Sequence, residues 1–302
     1  MKKPNPPIFR GAATALITPF LDSEVDFPAL RRLIEFQIAE GIDALAVVGT
    51  TGEAPTLRDD EHKEIIAFAA EVVNGRVPLI AGTGSNDTAH AVEMSKFACA
   101  CGCDGLLVVT PYYNRATEQG LIQSYLTVAE AVDKPIILYN VPSRTGVKLT
   151  LPVYRALSDH PNIVAVKEAS GDLGAVTQLI AELGDRLSVY SGNDDVTVPT
   201  MSLGGLGVIS VISNLMPRAV SDMCHKYLGG DCRGAAADQL RLLPLINALF
   251  AEVNPIPVKC AAAMMGLCRE EYRLPLCAPT NATRQKLANA MRGMGMLKQD
   301  KL

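Results

Sequence analysis

Short runs of apolar and β-branched residues recur along the chain, with longer amphipathic stretches between them. The runs are Ala13–Thr18, Ala44–Val48, Leu79–Ala81, Leu106–Val109, Ile136–Tyr139, Ile163–Val166, Leu187–Tyr190 and Gly207–Val211. Their spacing of about 20 to 35 residues is the period of successive βα units. Several runs are apolar at every position, as strands of a parallel sheet buried on both faces should be. Between them, Asp59–Val73 and Glu118–Val132 carry helical periodicity, and Asp59, Asp60 and Glu61 suit a first helical turn. Eight such units in roughly 220 residues favour closure over an open doubly wound sheet, which predicts an α/β protein with a (β/α)8 TIM barrel. From about Pro217 onward only helical signals remain, with Gly229-Gly230 as a joint. The expected organisation is a barrel domain over residues 1–230 and a C-terminal helical appendage over 231–302.

Composition narrows the function. With 48% apolar and 20% charged residues, the 302-residue chain is globular and long enough for a sizeable core. A net charge of −4 gives no reason to expect nucleic acid or an anionic membrane as partner. No apolar run reaches transmembrane length. Lys2-Lys3 precede an apolar segment, but Pro4, Pro6 and Pro7 interrupt it, and Gly11 to Phe20 reads as a first strand rather than a signal segment. A cytoplasmic location with reduced thiols is therefore the expectation. Cys99, Cys101 and Cys103 sit too close together for a disulfide framework, and no second Cys or His pair is spaced to complete a metal site. Gly82-Thr-Gly84 and Gly204-Gly-Leu-Gly207 complete neither a dinucleotide nor a Walker motif, so no metal or nucleotide cofactor is expected.

In a (β/α)8 barrel the catalytic groups lie at the carboxyl ends of the strands. Lys167 directly follows the run Asn162–Val166, where a lysine walled off from water turns from a solubilising charge into an amine nucleophile. Taken alone it could equally cap a loop. Its neighbours are more specific: Gly49-Thr-Thr-Gly-Glu53 after the second run, Thr110-Pro-Tyr-Tyr-Asn114 after the fourth, Asn140–Gly146 after the fifth, Lys167–Gly171 after the sixth and Ser191-Gly-Asn-Asp194 after the seventh. In these motifs and their order, the chain resembles the dihydrodipicolinate synthase family of the pyruvate-dependent class I aldolases. The resemblance runs from about Gly11 to the end and includes Asn254-Pro-Ile-Pro-Val-Lys259.

The resemblance implies that Lys167 attacks the ketone of pyruvate to form a covalent imine, with no other cofactor. The protonated imine is an electron sink, so the methyl carbon can lose a proton and become an enamine nucleophile. It further implies that Tyr139 donates and accepts protons together with Thr51 and Tyr113, and that Tyr113 reaches in from a neighbouring subunit of a homotetramer. Thr50 and Thr51 would hold the pyruvate carboxylate. Arg144 would clamp the carboxylate of L-aspartate-4-semialdehyde, a task its planar fork suits. Gly192 and Ile209 match positions whose backbone lines the family's pocket. The implied reaction is the condensation that forms 4-hydroxy-tetrahydrodipicolinate on the route to lysine.

Relatives inhibited by lysine bind it at a subunit interface, at positions matching Ala54, Asp59, His62, Asn86, His90 and Tyr112. Asn86, His62 and Tyr112 agree with the lysine-sensitive pattern, whereas Asp59 replaces a histidine and His90 replaces the glutamate that neutralises the amino group. Weak or absent feedback is the expectation. Two other readings stay open: an aldolase acting on sugar acids such as N-acetylneuraminate or 2-keto-3-deoxy acids, and a catalytically silent paralogue that binds an amino acid.

Overall fold

A computed structural model describes residues 6–297 of the chain. Eight parallel strands close into a barrel in sequential order: β1 Gly11–Ala15, β2 Ala44–Val47, β3 Leu79–Gly82, β4 Gly105–Val109, β5 Ile136–Asn140, β6 Ile163–Glu168, β7 Ser188–Ser191 and β8 Gly207–Ser210. β8 pairs back onto β1 with Gly11 opposite Gly207. That seam demands a glycine: Gly207 has φ +147°, and a Cβ there would lie 1.7 Å from the Gly11 carbonyl oxygen.

The barrel helices are α1 Phe27–Ala39, α2 Asp59–Val73, α3 Thr88–Ala100, α4 Glu118–Glu130, α5 Leu151–Ser158, α6 Leu173–Leu183, α7 Thr197–Ser202 and α8 Pro217–Leu228. Their starts follow from local chemistry. Asp26, Asp87, Thr117 and Asp172 cap α1, α3, α4 and α6 by accepting from backbone N–H groups that have no partner inside the helix.

Two cores result. The larger lies between strands and helices. The smaller fills the lumen, with Ala13, Ala15, Ala44 and Ala46 on one wall and Ile80, Leu107, Ile137 and Ile209 on the others. Small residues facing large ones let the interior interdigitate without a void. Phe9 stacks on Tyr190 inside this lumen, with ring centroids 4.2 Å apart.

Strand boundaries moved in ways that matter. β1 begins two residues earlier than its apolar run, at Gly11, because pairing starts at the glycine seam. Thr18, read as strand, lies beyond it and donates its hydroxyl to the Gly52 carbonyl, tying the first loop to the second. β6 runs on through Lys167 and Glu168, so Lys167 is held by strand pairing with Tyr139 on β5 and Tyr190 on β7 rather than by a loop.

Past α8 the chain forms α9 Cys232–Leu249, α10 Ile256–Met264 and α11 Asn281–Gly293. The helical expectation for this part needs one correction. Residues 265–280 form no helix; they cross back to the barrel and are held there by side chains. Arg273 donates from Nη1 and Nη2 to the Glu61 carboxylate and again from Nη1 to the Thr56 carbonyl, and Glu271 accepts from the backbone of Asp22 and Ser23. Helix periodicity could not foresee a segment whose stability comes from charge-assisted contacts 212 residues away in sequence.

Candidate active site

Strand pairing sets β5 and β6 so that Tyr139 stands opposite Lys167. Both are buried, and the Lys167 Nζ lies 4.4 Å from the centroid of the Tyr139 ring. Ile209 closes the same interior from β8. The next residue on β6, Glu168, faces the other way. It accepts from Asn140 Nδ2 at 2.8 Å, Tyr154 hydroxyl at 3.0 Å and Ser170 N–H at 2.8 Å, which locks the strand end that carries Lys167.

Above Tyr139 opens a cavity of about 260 Å³. Gly49, Thr50, Val141, Arg144, Ala54, His62, His90 and Tyr112 share its wall with Tyr139. It thus joins the candidate substrate residues to part of the candidate effector set. Thr51 is buried beside it, and its Oγ1 accepts from Asn254 Nδ2 at 3.0 Å. Arg144 rides on a one-turn helix, Pro142–Thr145, and donates from Nη2 to the Asn254 carbonyl at 2.9 Å. Gly192 sits where β7 leaves the barrel and donates to the Glu168 carbonyl at 2.7 Å. A Cβ there would come within 2.6 Å of the Ala169 Cβ, so this glycine is required for close packing.

Two expected residues stand apart from this cluster. Tyr113 projects into solvent at 90% exposure with φ +73°, away from the Tyr139 of its own chain. Asn86 spends its carbonyl on Asn114 Nδ2 at 2.9 Å. Among the other effector candidates, His62 donates from Nε2 to the Gly82 carbonyl at 2.9 Å, and burial holds its imidazole below the ordinary range. His90 faces the exposed Asp59 at 3.7 Å.

The sequence motifs left several residues without a role. Asp194 is fully enclosed: Oδ2 accepts from the backbone of Val211 and Ile212, while Oδ1 has no partner. Burial pushes its carboxyl up, opposed by hydrogen bonds and by the positive charge of Lys167. Glu53 and Lys259 form an ion pair at 2.5 Å with both side chains wholly buried. The Phe20 ring lies 3.9 Å from the Lys259 nitrogen. Burial lowers the Lys259 pKa and the Glu53 charge opposes that shift. Asn254 bridges Thr51 and Arg144. All but Asp194 belong to Gly49–Glu53 or Asn254–Lys259, so the motifs carried the signal and only the pairing between them was hidden.

Among the described residues, no three His, Cys, Asp or Glu side chains gather as a metal ion would require. Burial raises the Cys99, Cys101 and Cys103 thiols, the last to about 12, which makes them poor thiolates. No described helix is long and apolar enough to cross a membrane.

A closed parallel barrel with a buried lysine near the carboxyl end of a strand, a tyrosine ring beneath its amine and an arginine on the adjoining cavity wall has the make-up of a barrel enzyme. Residues 8–293 match the dihydrodipicolinate synthetase family. The 4-hydroxy-tetrahydrodipicolinate synthase of Caldicellulosiruptor saccharolyticus is 50% identical over 96% of this chain and 98% of its own. The crystal structure of dihydrodipicolinate synthase from Aquifex aeolicus superposes with a TM-score of 0.94 at 45% identity, covering 95% of this chain and 99% of that one. A chloride-inhibited dihydrodipicolinate synthase from Acinetobacter baumannii, complexed with pyruvate, gives 0.93 at 43% identity over 95% and 99%. The chain belongs to the dihydrodipicolinate synthetase family.

Proposed function

We propose that the protein condenses pyruvate with L-aspartate-4-semialdehyde to form 4-hydroxy-tetrahydrodipicolinate, through an imine on Lys167. The observation that carries this reading is the buried Lys167 amine over the ring of Tyr139, a tyrosine that itself lines a cavity shared with Thr50 and Arg144.

The Lys167 amine adds to the ketone carbon of pyruvate, and the carbinolamine expels water to give the imine. Loss of a methyl proton yields the enamine, whose carbon attacks the aldehyde of the second substrate. The amino group of that substrate then displaces Lys167 and closes the ring. Each proton needs a carrier that both donates and accepts, which a phenol and a hydroxyl do. Tyr139 and Thr51 fill that role within one chain. Tyr113, turned outward on a left-handed backbone, supplies the third hydroxyl to a neighbouring subunit. The protein works as a homo-oligomer, a tetramer built from dimers, in the cytoplasm and without metal or organic cofactor. The Arg144 fork binds the carboxylate of the aldehyde substrate at the rim.

Borohydride added with pyruvate should leave one reduced adduct on Lys167, seen by peptide mass. A coupled assay with aspartate semialdehyde should then show condensation. Cleavage of N-acetylneuraminate or 2-keto-3-deoxy acids without condensation would overturn the substrate assignment, and an unlabelled protein would overturn the imine.

A further inference from the structure

Asn254 lies in the C-terminal part of the chain, just before α10, yet it touches two groups at the barrel mouth. Its side-chain Nδ2 donates to Thr51 Oγ1 at 3.0 Å, and its backbone carbonyl accepts from Arg144 Nη2 at 2.9 Å. The residue is buried, and its Oδ1 has no hydrogen-bond partner. An enclosed amide oxygen left unpaired is a standing cost that a hydrocarbon side chain of similar shape would avoid. Stability alone therefore does not account for an amide here.

The direction of the Thr51 bond does. An amide NH2 only donates, whereas a hydroxyl has one proton and accepts as well. With Asn254 Nδ2 occupying a lone pair of Thr51 Oγ1, the Thr51 proton cannot point back at Asn254. It must be given to another acceptor. The second contact pins one nitrogen of the Arg144 fork and leaves its other N–H groups free.

We propose that Asn254 is a positioning residue for the condensation: its side-chain amide fixes the direction in which Thr51 passes a proton, and its backbone carbonyl fixes the Arg144 guanidinium. This rests on the roles given above to Thr51 and Arg144. The two contacts come from different parts of the residue, so they separate experimentally. A substitution at this position removes the side-chain donor and keeps the carbonyl.

Two variants test it. Asn254→Asp keeps the shape but replaces the donor by an acceptor, which draws the Thr51 proton toward the carboxylate. Asn254→Leu removes both the donor and the unpaired oxygen, so it should fold at least as stably as the parent. In each, kcat should fall by roughly 10- to 100-fold, the scale of a misdirected general acid–base step, with KM for both substrates within about threefold. The Asn254→Asp enzyme should regain activity relative to wild type as pH falls and its new carboxyl takes up a proton, because a protonated carboxyl donates again. In a Thr51→Val background neither change should lower kcat further. A kcat within about threefold of wild type in Asn254→Leu overturns the proposal, as do losses that multiply with Thr51→Val. Wild-type enzyme that traps pyruvate but condenses nothing would instead overturn the reaction assignment. The two failures are thus distinct.

Discussion

The ammonium of Lys167 rests on the face of the Tyr139 ring, 4.4 Å from its centroid, because β5 and β6 pair these two residues across the sheet. Attraction between a cation and an aromatic face is worth about 2 kcal/mol when water is excluded. The ring and the hydroxyl of Tyr139 therefore do separate jobs: the face orients the amine and the oxygen moves protons. Tyr139→Phe keeps the first and removes the second. Turnover should fall by about 10² to 10⁴, the usual range for a lost acid–base group, while the melting temperature barely moves. Pyruvate should still be trapped by borohydride, more slowly. Wild-type turnover in this variant would strip the hydroxyl of its role.

Tyr113 gives a test of assembly. At 90% exposure it has no partner in its own barrel, so its hydroxyl should act across a subunit contact. Lys167→Ala and Tyr113→Phe should each be nearly inactive alone. Mixed after subunit exchange, half of the dimers are hybrids, and each hybrid has one site with both native groups. Activity should return to about a quarter of wild type, as a two-fold interface requires. No recovery in demonstrably hybrid dimers would mean that Tyr113 does not act across the subunit contact.

Lysine should inhibit weakly. His90 stands where lysine-sensitive relatives carry a glutamate, and its neighbour Asp59 is largely exposed and already faces His90 at 3.7 Å. Lysine bound at these positions would lack a charge-assisted contact typically worth ~1.5–3 kcal/mol. Initial rates at millimolar lysine should stay close to the uninhibited value, and His90→Glu should make the enzyme measurably more sensitive. Strong inhibition of the wild type would overturn this expectation.

The imidazole of His62 titrates below its ordinary 6.5, chiefly because burial disfavours its charged form, with the His90 charge adding to this and the Gly82 carbonyl and Asp59 opposing it. The sign follows from linkage. Below pH 6.5 the unfolded chain takes up a proton that the folded site resists, so stability falls as pH drops from 6.5 toward the folded pKa. His62→Gln lacks this dependence. The stability advantage of wild type over that variant, measured by denaturant melts, should shrink between neutral pH and mildly acidic pH. A constant gap would mean that burial does not hold His62 neutral.

The Glu53–Lys259 pair predicts an asymmetric response to mutation. Lys259→Met leaves a carboxylate enclosed without a counter-charge, which costs about 3–5 kcal/mol. Adding Glu53→Gln removes that charge and should recover most of the loss in a thermal melt. If the double variant melts no higher than Lys259→Met alone, the damage comes from packing around Phe20 rather than from charge.

How much of this could be read from the chain follows from where each residue sits. Lys167 and Tyr139 stand where apolar runs end, but that position alone left a loop-capping lysine and a core tyrosine open, and it is the order of the motifs around them that singles the two out. Lys259 obeyed the same logic on a helix: it interrupts the run Ile256–Ala262, every residue of which is buried. Its chemistry was not read because a helix gives no barrel end to point at. Asn254 was quoted as part of a motif, yet its partners lie 203 residues away at Thr51 and 110 away at Arg144, beyond any local pattern. Asp194 was visible only as the end of a loop motif. Its enclosure depends on two backbone N–H groups just past β8.

The ion pair beneath Phe20 also has a consequence for how the protein is made. All eight strands have been synthesised once Ser210 is added, but the counter-charge for Glu53 comes 206 residues after it, preceded closely by the amide that meets Thr51. A chain interrupted between Ser210 and Asn254 has a barrel's worth of strands, a stranded charge at Glu53 and no donor for Thr51. Catalytic competence therefore reports on translation reaching at least Lys259, and prematurely terminated copies should accumulate as unstable, inactive protein rather than as slow enzymes.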